Sequence, residues 1–144
     1  MKSLIDELNL SANPTRAKSS ARFFKTGLGE YGEGDKFIGL TMPQIRANAK
    51  KYRHYSIDEL SKSLSSPIHE HRMASLVILA DTFKKRDDSG KKMSYELYLS
   101  GLADGYINNW DLVDVTAPHV VGEYVFEHRP DILYRLASST NVWE

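Results

Sequence analysis

Helix-start signals recur along this chain, and strand signals do not. Asn13-Pro14 sets a capping side chain before a proline at the first helical position. Thr41 stands ahead of Pro43 in the same way. Ser56-Ile57-Asp58-Glu59 is a capping box, in which serine and glutamate satisfy each other's helix-start donors. Ser66-Pro67, Asn108-Asn109, Arg129-Pro130 and Ser139-Thr140-Asn141 are further starts. Between them apolar residues return at helical spacing, and no segment alternates with a period of two. The fold class is therefore all-α. Helices joined by short turns predict antiparallel pairs, stacked as an α-solenoid or gathered into a compact bundle. No clean internal repeat separates those two.

The spacing assigns inner faces. Leu4, Ile5 and Leu8 form the first stripe, and Ala21, Phe23 and Phe24 belong to a helix running from Asn13 to near Lys25. The longest and most apolar helix starts at Ser66-Pro67, with Met73, Leu76, Val77, Leu79, Ala80 and Phe83 inward. Asp87 to Gly90 reads as a polar turn before a helix with Met93, Leu97, Tyr98 and Leu102 inward. Pro118 interrupts an apolar continuation, Val115 to Phe126, and predicts a kink or a new helix. Ile132, Leu133 and Leu136 face inward in the helix opened by Arg129-Pro130.

Length and composition bound what such a chain can do. Its 144 residues suffice for one domain with a real core. Basic and acidic residues balance at 19 each, so any nucleic-acid contact needs charge segregated by face. There is no cysteine, hence no disulfide, no thiolate chemistry and no cysteine zinc site. Met1 to Leu10 carries Asp6 and Glu7 and is not a signal peptide; the longest apolar run, Ala74 to Ala80, is too short to span a bilayer. These features predict a soluble, cytoplasmic protein.

Gly27, Gly29 and Gly32 match G-x-G-x-x-G on paper. A helix precedes them where a strand is required, and Glu30, Glu33 and Asp35 would repel an anion. A tight surface loop with several left-handed positions is the better reading. His119 and Glu123 have ligand spacing but lack a third ligand, so no metal and no cofactor is expected.

Tyr106 to Pro118 is the stretch with chemical promise. Two asparagines precede a helix starting near Trp110, and Trp110 and Asp114 lie four apart on one face. An indole beside a carboxylate suits a developing cation. A core tryptophan with Asp111 and Asp114 near a helix start would give the same pattern. Basic residues group at Arg46 to Arg53, His69 to Arg72 and Lys84 to Lys92, either as solvated helix faces or as one phosphate-tracking surface. Arg46, Lys50, Lys51, Arg72, Lys84 and Lys85 are the candidate phosphate contacts, chosen by charge alone.

Longer strings carry a family resemblance. Phe24-Lys25-Thr26-Gly27 and Gly29-Glu30-Tyr31-Gly32-Glu33-Gly34-Asp35-Lys36-Phe37 resemble the opening signature of the AlkD-like DNA alkylation repair family. Asn109-Trp110-Asp111-Leu112-Val113-Asp114, Ala117-Pro118, Val121-Gly122-Glu123-Tyr124 and Asn141-Val142-Trp143-Glu144 are similar to its later motifs. The resemblance spans essentially the whole chain. It implies a curved stack of HEAT-like helix pairs with a basic concave face for duplex DNA. It also implies a DNA glycosylase that hydrolyses the N-glycosidic bond of cationic alkylpurines, such as 3-methyladenine and 7-methylguanine, without base flipping. On that pattern Asp114 is the catalytic carboxylate and Trp110 packs against the deoxyribose. Phe23 takes the place of a tyrosine found near the DNA in some members.

Family members continue with arginines after Trp-Glu, so the resemblance implies the N-terminal part of a longer enzyme, weakly active alone and prone to self-association. The rival is a non-catalytic helical scaffold that binds nucleic acid or a protein, since fold does not fix function. A repair site requires Trp110 and Asp114 to point together into an electropositive hollow.

Overall fold

The computed structural model describes residues 2–128 and 130–144. These residues form helices and no strand, apart from one isolated bridge between Lys36 and Ile68. In chain order the helices are α1 (Leu4–Asn9), α2 (Pro14–Phe23), α3 (Met42–Lys51), α4 (Ile57–Leu64), α5 (His69–Phe83), α6 (Asp88–Ala103), α7 (Trp110–Ala117), α8 (Glu123–His128) and α9 (Ile132–Ala137). A π-helical stretch, Pro118–Gly122, joins α7 to α8. The all-α expectation holds, and the helix order is compatible with a solenoid. No described helix is long and apolar enough to cross a membrane.

The capping residues work as their chemistry predicts. Asn13 accepts from the Arg16 N–H at 3.0 Å, and Thr41 with Gln44 and Ser56 with Glu59 form reciprocal capping boxes. Other boundaries move for local reasons. The start predicted at Ser66-Pro67 falls at His69 instead. Ser66 Oγ accepts from the Ile68 N–H at 3.1 Å, and the His69 N–H is taken by the Lys36 carbonyl at 2.8 Å. The expected polar turn at Asp87 to Gly90 is the first turn of α6, capped by Asp87 Oδ1 on the Gly90 N–H at 2.7 Å. At Pro118 the missing N–H and the ring's clash with the preceding turn are absorbed by a widened π turn. The start at Arg129 lies outside the described residues. Asn141 donates to the Leu102 carbonyl at 3.2 Å and accepts from the Trp143 N–H at 3.1 Å, which fixes the last segment on α6.

Helix α5 is the centre. It touches α1, α3, α4, α6, α7 and the π stretch, and is buried on every side, not only on the predicted inner face. Its polar residues His69, Glu70, His71, Arg72, Ser75 and Thr82 are buried too. Each therefore needs partners inside the protein. Two other inner faces differ from expectation. Ser94 and Tyr95 are buried in α6 while Met93 is exposed, and Leu133 of α9 is exposed beside buried Ile132 and Leu136.

Glu70 shows what such a buried charge does. Its carboxylate accepts from the N–H groups of Ile38, Gly39 and Leu40, at 3.0, 2.7 and 3.3 Å. That holds the segment before α3 against α5. Helix α2 contributes no buried residue of its own and hangs from this segment, through Asn13 N–H to the Ile38 carbonyl at 2.7 Å. Gly39 lies in the left-handed region at φ 84°, and a Cβ there would stand 2.2 Å from the Asn13 carbonyl oxygen. Gly39→Ala therefore has two penalties, strain and overlap. Urea denaturation should show a loss of about 1–3 kcal/mol, with the α2 amides losing protection from hydrogen exchange first.

Candidate functional site

The start of α7 is assembled from three pieces of chain. Asn109 is fully buried, and its Oδ1 accepts from the Trp110 N–H at 2.9 Å. Gly32 of the glycine-rich loop packs directly behind it: a Cβ there would lie 2.3 Å from the Phe24 carbonyl oxygen and 3.1 Å from Asn109 Nδ2. That loop has left-handed glycines at Gly29 and Gly34, as expected of a tight turn. It is not merely a surface feature, because Asp35 at its end is buried.

Trp110 is 39% exposed. One side of its indole stacks on Phe24, with centroids 5.5 Å apart, and Phe23 meets it edge-on at 6.0 Å. Asp114 is exposed one turn further along α7. No hydrogen bond or ion pair holds its carboxylate among the described residues. It borders a hollow of about 440 Å³ lined with Val113, Ala117, Pro118, Val121, Leu133 and Leu136, with Glu144 at its edge. Among the described residues this lining is apolar apart from the two carboxylates and includes no lysine or arginine, where an electropositive hollow was expected.

The cations lie to the other side of α7. Arg46 shares a smaller hollow of about 120 Å³ with Val77, Ala80, Asp81, Val115 and His119. Lys50 and Lys85 are exposed. Lys84 pairs with Glu123 at 2.9 Å, and Lys51 pairs with Glu7 at 2.8 Å, towards α1. Arg72 is the exception and overturns its assignment as a phosphate contact. It is buried, with its guanidinium on Asp35 at 2.5 Å, on the Ser66 carbonyl at 3.0 Å and on Asn108 Oδ1 at 3.1 Å. A side chain so enclosed offers nothing to a phosphate.

Arg72 belongs to a buried chain of charges that spacing did not reveal. His69 Nδ1 lies 2.8 Å from Asp35 Oδ2, and His69 Nε2 lies 2.7 Å from Asp111 Oδ2. A carboxylate only accepts, so both ring nitrogens carry protons and the imidazole is a cation. Its faces lie against Phe37, at 4.5 Å, and Phe24, at 5.1 Å. Burial opposes that charge, but the hydrogen bonds and attraction of Asp111 and Asp35 outweigh it and raise the His69 pKa. For Asp35 burial is likewise the largest influence, and His69 and Arg72 overcome it to lower the pKa. Two cations and two anions thus balance beneath Trp110. They tie the glycine-rich loop, α5 and the first turn of α7 together.

His71, two residues on, behaves in the opposite way. Its ring lies 2.9 Å from Ser66 Oγ and 3.0 Å from Asn9 Oδ1, with no carboxylate partner. Burial, helped by the charge of Arg72, pushes its pKa down to about 4. The signs give a stability maximum. Neutral His71 contributes fully above its unfolded value of about 6.5 and loses that contribution as pH falls towards 4. Charged His69 contributes fully below about 6.5 and loses it as pH rises through its raised folded pKa. Denaturation measured from pH 4 to 9 should peak near neutrality. His71→Gln should flatten the acid limb, and His69→Gln the alkaline one.

A family model described as DNA alkylation repair enzyme matches residues 4–144. The chain belongs to the DNA alkylation repair enzyme family. The match takes in the glycine-rich loop, α7 and the final Asn141 to Glu144. Comparison with curated proteins gave no match, and neither did comparison with solved structures. DNA alkylation repair is the general role that membership assigns, and DNA is the substrate it implies.

Proposed function

We propose that this member of the family is a DNA glycosylase, acting on cationic alkylated purines such as 3-methyladenine and 7-methylguanine in duplex DNA. The observation that carries the reading is the pairing on α7: an indole with one open face, and one turn away a solvent-reachable carboxylate that no neighbour neutralises.

The chemistry follows from the lesion. A cationic base is already a good leaving group, so the enzyme must chiefly stabilise the sugar as it becomes an oxocarbenium ion. Asp114 supplies negative charge at the rim of an apolar hollow, and bound duplex, by covering it, would reduce screening by water so that the charge acts more strongly. The same carboxylate can orient the attacking water. The free part of the Trp110 face packs against deoxyribose and attracts the cation through its π electrons. Phe23 and Phe24 hold the indole at that angle. Arg46, Lys50 and Lys85 are the remaining free phosphate contacts in this reading, and Lys84 must first give up its pair with Glu123. Lys51 is the weakest of the set, because it is already bound to Glu7.

The deciding experiment is release of free 7-methylguanine from methylated duplex DNA, followed by chromatography. Trp110→Ala should slow release by roughly 10-fold, the scale of one lost aromatic contact at ~1–2 kcal/mol. A chain that binds the duplex yet releases no base would be a scaffold, and the glycosylase reading would be abandoned.

A further inference from the structure

One hollow on the molecule shares only Lys85 with the site just described. It lies between the α3–α4 turn and the α5–α6 turn, measures about 360 Å³, and is lined by Arg53, His54, Tyr55, Ser56, Thr82, Lys85 and Arg86. Three permanent cations and a histidine converge there from two turns that are far apart in sequence. No carboxylate lines the hollow among the described residues. Asp81 pairs with Arg53 from outside the lining at 2.7 Å, Glu59 caps α4 through Ser56 at 2.8 Å, and Asp87 caps α6, which leaves Lys85 and Arg86 without an ion pair among the described residues.

The donors in this hollow outnumber their acceptors. Arg86 gives one N–H to Thr82 Oγ1 at 3.1 Å, while its buried Nε has no hydrogen-bond partner among the described residues. A buried donor left unmatched is costly unless something supplies an acceptor. Lys85 forms no ion pair among the described residues. Burial also lowers the Arg86 pKa, against the pull of Asp87, so the guanidinium would gain from a nearby anion. Guanidinium groups and ammonium groups in one concave site match the charge and the several acceptor oxygens of a phosphate.

We propose that this hollow is a phosphate-binding site, occupied by a backbone phosphate of duplex DNA. The choice of source rests on the glycosylase reading and on continuity. Arg46 and Lys50 lie four apart on α3, and Arg53 follows just past its end. Asp81, which holds Arg53, lines the Arg46 hollow beside α7. Arg46, Lys50 and Arg53 thus carry positive charge along α3 and past its end, from the hollow bordering α7 to this one.

The test is side-chain NMR of the arginine Nε–Hε groups at low ionic strength. Inorganic phosphate, against a chloride control, should shift Arg53 and Arg86 saturably. An undamaged 12-base-pair duplex should shift the same two signals. Lys85→Gln, an exposed change that should leave folding intact, should weaken phosphate binding about 10-fold. The same variant should reduce the slope of log affinity for the duplex against log salt by roughly one. Unmoved arginine signals with phosphate would overturn the site. Signals moved by phosphate but not by the bound duplex would overturn the backbone assignment and leave a pocket for free phosphate esters. A duplex that binds and is depurinated while both signals stand still would sink this inference alone, leaving the glycosylase reading in place. Base release absent while the duplex shifts both arginines would do the reverse.

Discussion

Asp114→Asn should reduce 7-methylguanine release by roughly 10²–10³-fold, the usual scale for losing one group that stabilises transition-state charge. The substitution keeps shape and removes the negative charge. It should not disturb the fold, because the carboxylate is exposed and supports no neighbour. Affinity for undamaged duplex should stay within about twofold, or rise slightly, since a repulsion towards phosphate is removed. The defect should therefore fall on the chemical step and be visible in single-turnover kinetics. The expected size assumes that bound duplex closes over this exposed carboxylate against the apolar lining, since a carboxylate left in water is screened and worth far less. Asp114→Asn releasing base at the parental rate would remove this residue from the mechanism.

The second large effect concerns stability. Asp35→Asn should lower unfolding free energy by about 3–5 kcal/mol, because it leaves His69 and Arg72 to share one carboxylate inside the protein. For a chain of this size that corresponds to a fall in melting temperature on the order of 10 °C. Three contacts are lost or weakened at once: the 2.8 Å bond to His69, the 2.5 Å bond to Arg72, and the anchor of the glycine-rich loop under α7. Lys51→Ala is the internal comparison. It breaks the Glu7 pair at the surface, where such pairs contribute about 0–1 kcal/mol. Equal effects from the two changes, measured by calorimetry at pH 7, would mean that the buried chain of charges is not cohesive. The Asp35 variant should also loosen the indole, seen as a red shift in tryptophan emission before global unfolding.

How much of this was legible beforehand depended on distance along the chain. Caps act over three or four residues, so Asn13, Thr41 and Ser56 announced their helices. Trp110 and Asp114 share a face by helical spacing alone, and the family strings gave them roles. The contacts that set His69 between Asp35 and Asp111 span 34 and 42 residues, and no periodicity records a pairing of that kind. Arg72 was misassigned for the same reason. A charge count cannot tell a solvated arginine from one enclosed by Asp35, Ser66 and Asn108. One clue was available: four consecutive polar residues, His69 to Arg72, open the most apolar helix, where each would have to find a partner. The apolar character of the hollow at Asp114 was hidden too, since it depends on Leu133 and Leu136 reaching it from α9.

The grip of Glu70 on the segment before α3 has an evolutionary corollary. It fastens peptide groups, and every amino acid except proline presents the same one. Related chains should keep glycine at 39 and apolar side chains at 38 and 40, where Leu40 is buried and Ile38 packs on the core, but the tether itself reads only the backbone and would hold any such residues in register. Replacing the acid itself would cut three tethers in one step.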